Sequence, residues 1–184
     1  HDWGARAVLY AGGLAPTLAS KLVSVSVGYG TNDPSQPMAL EQARCYWYHW
    51  FMATPLGERT VRENPKAFAR TMWDTWSPQG WFDDAEFDAT AVAFENPDWI
   101  DVTLHSYRHR WGFVPGDPAY AGDTAALKPL PVLATPTLVI HGKDDFVNPV
   151  ATSANKEAWF SAGYHRVVLD GIGHFPQREA AAEV

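Results

Sequence analysis

Cysteine is almost missing from this sequence. Cys45 is the one thiol in 184 residues, which excludes an intrachain disulfide and fits a reducing, cytoplasmic setting. No apolar run approaches the ~20 residues that a membrane-spanning helix needs. Positive charge is in deficit: 14 Lys and Arg stand against 21 Asp and Glu, a formal net charge of −7. Neither nucleic acid nor an anionic membrane surface is therefore an expected partner. The glycines of "GYGTND" lack the pattern of a phosphate loop and read as a turn. His49, His105 and His109 share one region, but no cysteine or carboxylate joins them at metal-ligand spacing. They read as packing or surface histidines, and no metal or cofactor is expected. Internal repeats and low-complexity tracts are absent as well.

Aromatic residues are abundant. They make up 14% of the chain, with nine tryptophans, most of them between Tyr46 and Trp111. That region has its own character. "MALEQARCYWYHWFM" reads as one aromatic-rich helix. "NPKAFARTMWDTW" starts a helix with Asn64 as cap and Pro65 in the first turn. "DDAEFDATAVAF" starts another at Asp83, and "NPDWIDVTLHSYRHRW" repeats the Asn-Pro start at Asn96. Pro- and Gly-rich connectors, "GFVPGDPAY" and "KPLPVLATP", follow.

Both flanks differ from this middle. The small apolar residues from Ala5 to about Ala15 predict a helix packed closely on a flat surface. The β-branched run Leu22–Gly30 predicts a buried strand. After Pro136, "TLVIHG" predicts a strand, Thr152–Ser161 a helix, and "HRVVLD" a second strand ending near His174. The order is helix–strand, helical insertion, strand–helix–strand–helix. It predicts an α/β fold with a parallel sheet and an inserted all-helical cap: core over residues 1–33, cap over 34–125, core again over 126–184.

Chemistry-bearing residues sit at the ends of the expected strands. "GKDDFVNP" puts acids just beyond "TLVI", and "GIGHFP" puts His174 just beyond "RVVLD". Groups beyond the carboxyl ends of parallel strands converge on one crevice. An acid and a histidine delivered there can act as orienter and base. "HDWGAR" supplies a third candidate, an acid followed by glycine at the start of a helix.

His1-Asp2-Trp3-Gly4 resembles the nucleophile elbow of the α/β-hydrolase superfamily, in the branch that uses aspartate. The order of nucleophile, cap, acid and histidine is similar to that branch along essentially the whole chain. Soluble epoxide hydrolases are the nearest resemblance, with haloalkane and haloacetate dehalogenases as neighbours. The chain reads as the C-terminal portion of such an enzyme, without the N-terminal half of the core. The resemblance implies Asp2 as nucleophile, His174 as base and the Trp3 backbone N–H as an oxyanion donor. The family's Gly-x-x-Asp spacing selects Asp145 over Asp144. A second oxyanion donor would come from a His-Gly-x-Pro loop that these residues do not contain.

Two cap tyrosines mark the epoxide branch. The family's Tyr-Gln-x-Tyr-Phe run resembles "YHWFM", which selects Tyr48, with His49 in place of Gln. The x-Tyr-Arg run resembles "HSYRHRW", which selects Tyr107. Tyr46 is the fallback for the first. A phenol, neutral at pH 7, can protonate the oxygen of an opening epoxide. The implied reaction is epoxide opening to a diol through an Asp alkyl ester, on a small apolar or aromatic epoxide and water. Two alternatives stand beside it. One is a dehalogenase, in which Trp3 and a cap tryptophan would hold halide. The other is a non-catalytic fragment, open to homo-oligomer formation through an exposed sheet edge.

Overall fold

A computed structural model describes residues 1–184. The chain divides into two compact units, His1–Asp33 with Asp117–Val184, and Pro34–Gly116. Residues 117–125, expected with the helical cap, group with the first unit. No helix is long and apolar enough to cross a membrane.

The first unit is built on a three-stranded parallel sheet of order β1-β2-β3, formed by β1 (Leu22–Val25), β2 (Thr137–Gly142) and β3 (Tyr164–Leu169). Leu22 pairs with Thr137, and Thr137 with Tyr164. The central strand is the most deeply covered, as its uninterrupted apolar run requires. Helix α1 (Asp2–Leu14) packs on β1. Its Leu9 joins Leu22, Tyr29, Leu133 and Phe160 in one buried cluster. A second cluster gathers Val25, Ile140 and Leu169, with Ala180 against it.

Helices α2 (Leu40–Cys45), α3 (Trp47–Ala53), α4 (Pro55–Glu63), α5 (Pro65–Trp76), α6 (Asp84–Ala91) and α7 (Trp99–Arg110) form the second unit. Local chemistry sets their starts. Thr54 Oγ1 accepts the Gly57 N–H and Pro55 opens α4. Asp83 accepts the Glu86 N–H at the head of α6, the side-chain cap that satisfies an orphan helix donor. Buried Ala69, Phe87 and Ala91 form one cluster with Trp73, Phe82 and Phe94. The Arg70 guanidinium lies over the Phe82 and Phe87 rings, 4.8 and 5.1 Å from their centroids. Arg108 ties α7 to α3 and α4: its Nε donates to Met52 O at 3.0 Å, and its Nη2 pairs with Glu58 at 2.8 Å.

Three expectations are corrected. The strand expected over Leu22–Gly30 stops at Val25, because Ser26 takes a left-handed backbone (φ 60°) that ends the pleat. The helix expected over Thr152–Ser161 is two short 3₁₀ turns, Val150–Ser153 and Glu157–Trp159, separated by Asn155 at φ 56°. The single aromatic helix from Met38 is broken at Tyr46 into α2 and α3. The remaining short helices are α8 (Ala121–Ala126) and α9 (Pro176–Glu179).

Gly142, at the end of β2, fixes how closely the loop carrying His174 can approach. A Cβ there would lie 2.0 Å from Gly173 O and 2.4 Å from Ile172 O. Backbone atoms cannot yield as a flexible side chain would. Gly142→Ala is therefore expected to cost at least ~1–3 kcal/mol, the usual range for overpacking. A urea midpoint unchanged from wild type would contradict this close packing.

Candidate active site

Asp2 is the first residue of α1 and has φ 41°. A non-glycine residue in that region carries strain of about 1–3 kcal/mol and is typical of functional turns. The chain thus turns sharply at Asp2 and enters a helix at once, as "HDWG" predicts. Gly4 lies in the first turn of α1. A Cβ there would meet nothing within 4 Å. Trp3 is partly exposed, and its backbone N–H lies in the first turn of α1.

Asp145 and His174 come from the loops after β2 and β3 and meet in the interior. His174 Nδ1 donates to Asp145 Oδ2 at 2.9 Å, and both side chains are 0% exposed. On its other side, His174 Nε2 lies 3.9 Å from Asp2 Oδ2. The imidazole therefore stands between two carboxylates. Asp144, the neighbouring acid, is half-buried, and its backbone N–H donates to Ile172 O.

The remaining lone pairs of Asp145 are used. Oδ1 accepts the Val147 and Asn148 backbone N–H groups, both at 2.8 Å. His141 Nε2 lies 3.4 Å from Oδ2 and donates to Asn148 O at 2.9 Å. Burial alone would raise the Asp145 carboxyl. The charge of His174 and hydrogen bonds from His141 and His174 outweigh it and hold Asp145 below its ordinary range. Burial would likewise depress His174. The Asp145 carboxylate, helped by Asp2, outweighs that and pushes the imidazole up to about 10. The two directions agree: each partner is held in its charged form by the other.

Sequence reasoning did not find the groups that hold this loop. Glu179, in the single turn of α9, accepts Gly173 N–H at 2.7 Å with Oε2 and Phe175 N–H at 2.8 Å with Oε1. One carboxylate clamps both peptides that flank His174. Ser26 Oγ donates to His174 O at 3.0 Å, and the ring of His1 donates to the same oxygen through Nε2 at 2.6 Å. Asn148 Nδ2 donates to Ser26 O at 3.0 Å. The signal available was an acid five residues beyond the histidine, too short a pattern to separate from a solvated helix start.

Tyr48 and Tyr107 come together within the helical unit. Tyr48 is buried in α3 and Tyr107 half-buried in α7, with ring centroids 5.4 Å apart at 84°. Tyr46, the fallback, is buried at the α2–α3 break and stacks on His49 at 4.2 Å and 18°. His105 and His109 stack on the exposed face of α7, with ring centroids 5.8 Å apart.

A parallel sheet with an acid and a histidine beyond adjacent strands, an acid at a strained helix start, and a helical unit inserted between β1 and β2 in the sequence define the α/β-hydrolase fold. The solved structures agree. One is described as a "putative epoxide hydrolase" from Klebsiella pneumoniae, 35% identical over 98% of this chain and 61% of that one, with a TM-score of 0.90. An epoxide hydrolase from Vigna radiata matches at 18% identity and a TM-score of 0.69, over 100% of this chain and 63% of its own. A loop variant of a haloalkane dehalogenase from Bradyrhizobium elkanii matches at 20% and 0.70, over 98% and 61%. The last two likenesses show the fold alone. This chain spans 61% of the length of the Klebsiella protein. No family model matches it, and no curated protein matches it in sequence.

The His174–Asp145 pair should leave a signature in stability. A histidine raised from its ordinary 6.5 contributes fully below that pH and loses the contribution as pH climbs toward 10. A lowered carboxyl, ordinarily 3.8, contributes above that pH and loses the contribution on acidification. The melting-temperature gap between wild type and His174→Gln should be widest between pH 3.8 and 6.5 and narrow as pH rises toward 10. A gap that stays constant from pH 6 to 10 would contradict the charged pair.

Proposed function

We propose that this chain carries the catalytic groups of an epoxide hydrolase that works through an alkyl ester on Asp2. The observation that supports it most is an imidazole flanked by two carboxylates, one of them on a strained turn at a helix start. A carboxylate is a poor nucleophile toward acyl carbon, but it displaces a good leaving group at saturated carbon. In this reading one Asp2 oxygen attacks an epoxide carbon. The carbon–oxygen bond breaks, its electron pair goes to the epoxide oxygen, and Tyr48 or Tyr107 supplies the proton. The imidazolium gives its Nε2 proton, by way of solvent, to the tyrosinate, and water then adds to the ester carbonyl while the neutral His174 Nε2 takes one of its protons. Trp3 N–H stabilises the tetrahedral oxyanion; on collapse the ester carbon–oxygen bond breaks, the departing alkoxide takes the proton from His174 to complete the diol, and the Asp2 carboxyl returns its own proton to the imidazole.

The charge pattern suits two stages. Esterification makes Asp2 neutral and removes one of the two anions that raise His174. The imidazole then loses a proton more readily, at the step that needs a base. Asp145 stays ionised and holds the tautomer with Nδ1–H toward itself. The 35% identity with the Klebsiella protein supports the epoxide assignment for the whole enzyme. The aromatic residues of the helical unit suit an apolar or aromatic epoxide. A lone half-buried thiol, Cys45, suits a reducing cytoplasm.

The nucleophile and the acids can be tested together in the full-length gene product. His174→Gln incubated with a reactive epoxide should accumulate an adduct of substrate mass on the peptide containing Asp2. The Tyr48→Phe/Tyr107→Phe double variant should lose about 10²–10⁴-fold in epoxide turnover, the usual contribution of general acid catalysis. Haloalkane turnover should be unaffected, since halide leaves without a proton. An adduct elsewhere would remove Asp2 from the mechanism. Haloalkane turnover above epoxide turnover in the wild type would assign the chain to dehalogenation instead.

A further inference from the structure

We propose that His49 is a positioning residue for the two tyrosine acids: a neutral imidazole, pinned by the Trp111 indole, that sets the rings of Tyr48 and Tyr107. The proposal rests on the epoxide-hydrolase reading for its catalytic purpose. Its geometry lies wholly within the helical unit.

His49 is 3% exposed and occupies the centre of an aromatic group. Tyr48 meets it edge-on at 4.3 Å and 89°. Tyr107 lies 4.5 Å away at 45°, and Tyr46 stacks on the imidazole at 4.2 Å and 18°. Both proposed acids therefore touch the same imidazole, and each also touches the other. A leucine or phenylalanine could fill such a space without desolvating two ring nitrogens. A buried histidine is sustained here by using its polar edge.

That edge is used. Trp111 Nε1–H donates to His49 Nδ1 at 2.9 Å. An indole nitrogen only donates, so Nδ1 must offer a lone pair. The buried ring is therefore the neutral tautomer with its proton on Nε2. An imidazolium would set N–H against N–H at this contact. One hydrogen bond thus fixes both the tautomer and the rotation of the ring about its Cβ–Cγ axis. Trp111 follows α7 directly, four residues beyond Tyr107, and His49 is next to Tyr48 on α3. The bond couples the two segments that carry the acids.

The bond is not what holds those segments together. Arg108 already joins α7 to α3 through Met52 O and to α4 through Glu58. Loss of the Trp111–His49 contact should leave the helices packed and only the ring orientations free. This separates a positioning role from a structural one. A proton donor displaced by about 1 Å can lose much of its effect.

The test is a double-mutant cycle on His49→Phe and Trp111→Phe in the full-length protein. Each variant keeps an aromatic ring but removes one end of the hydrogen bond. Each should lower kcat for epoxide about tenfold with KM within about twofold, and the double variant should be no worse than the worse single one, because both remove the same interaction. His49→Asn, whose Oδ1 can accept where Nδ1 did, should recover part of kcat. An independent readout is the indole ¹H–¹⁵N spectrum. The signal lost in Trp111→Phe should move to higher field in His49→Phe. Additive losses, or lower thermal stability with kcat unchanged, would overturn the positioning role while leaving the hydrolase reading intact. Absence of epoxide turnover in the wild type would overturn the hydrolase reading and the catalytic purpose of the pin together, even if the indole shift were seen.

Discussion

A carboxylate and an imidazole that are both shut off from water can remain charged only if each is the other's counter-ion and their other polar atoms are satisfied. Asp145 and His174 meet that condition, with both side chains 0% exposed and a 2.9 Å hydrogen bond between them. Most of the local architecture follows from it. The turn after β2 aims two backbone N–H groups at Asp145 Oδ1. Gly142 has no Cβ, so the next loop can close over the pair. Ser26 leaves the strand conformation and directs its hydroxyl to His174 O. Glu179 returns in a short helix and ties both peptides beside His174. Each of these contacts constrains backbone, not only side chain. The imidazole is therefore held by the fold itself.

The helical unit is held together differently. Several of its ion pairs lie near the surface: Arg62 bridges Glu58 and Asp101, and Arg70 bridges Asp74 and Asp84. Exposed pairs of this kind contribute little each, about 0–1 kcal/mol. The order comes from interlocking aromatic rings, and directional contacts such as Trp81 Nε1–H to Trp73 O at 3.1 Å fix which way a ring turns. Large flat side chains define shape at low conformational cost, since they have few rotatable bonds. That suits a unit whose proposed task is to present two phenols in set orientations.

The fold class and the meeting of His174, Asp145 and Asp2 were legible because each signal is local. Apolar runs such as "TLVI" announce strands, and an acid or histidine just beyond a strand end is visible in the string. The misreadings have equally physical causes. Nothing in "SVSVGYG" marks Ser26 as the residue that leaves the pleat, because its left-handed conformation is imposed by contacts with residues 148 and 174. The aromatic periodicity runs unbroken through Tyr46, although the backbone there is not helical. Glu179 and His141 were passed over because their significance depends on what faces them. The likeness at Tyr48 singled out the substitution of His49 for Gln, but the partner that gives it meaning, Trp111, is 62 residues away.

Asp2 stands at the start of α1 and faces His174 Nε2. Two carboxylates facing one imidazole leave an excess negative charge in the resting site, and Asp2 bears it in the first turn of α1. The positive end of the helix dipole favours the ionised form there. In the proposed mechanism the same turn keeps the nucleophile charged and offers N–H donors to an oxyanion formed on that residue later. In the proposed reaction the negative charge moves from carboxylate to epoxide oxygen, then returns as the oxyanion of the hydrolysing ester. The helix start favours the first and last of these states. The middle one needs a proton from elsewhere, which is why an aspartate at this position calls for phenols when the leaving group is an alkoxide, and for none when it is a halide.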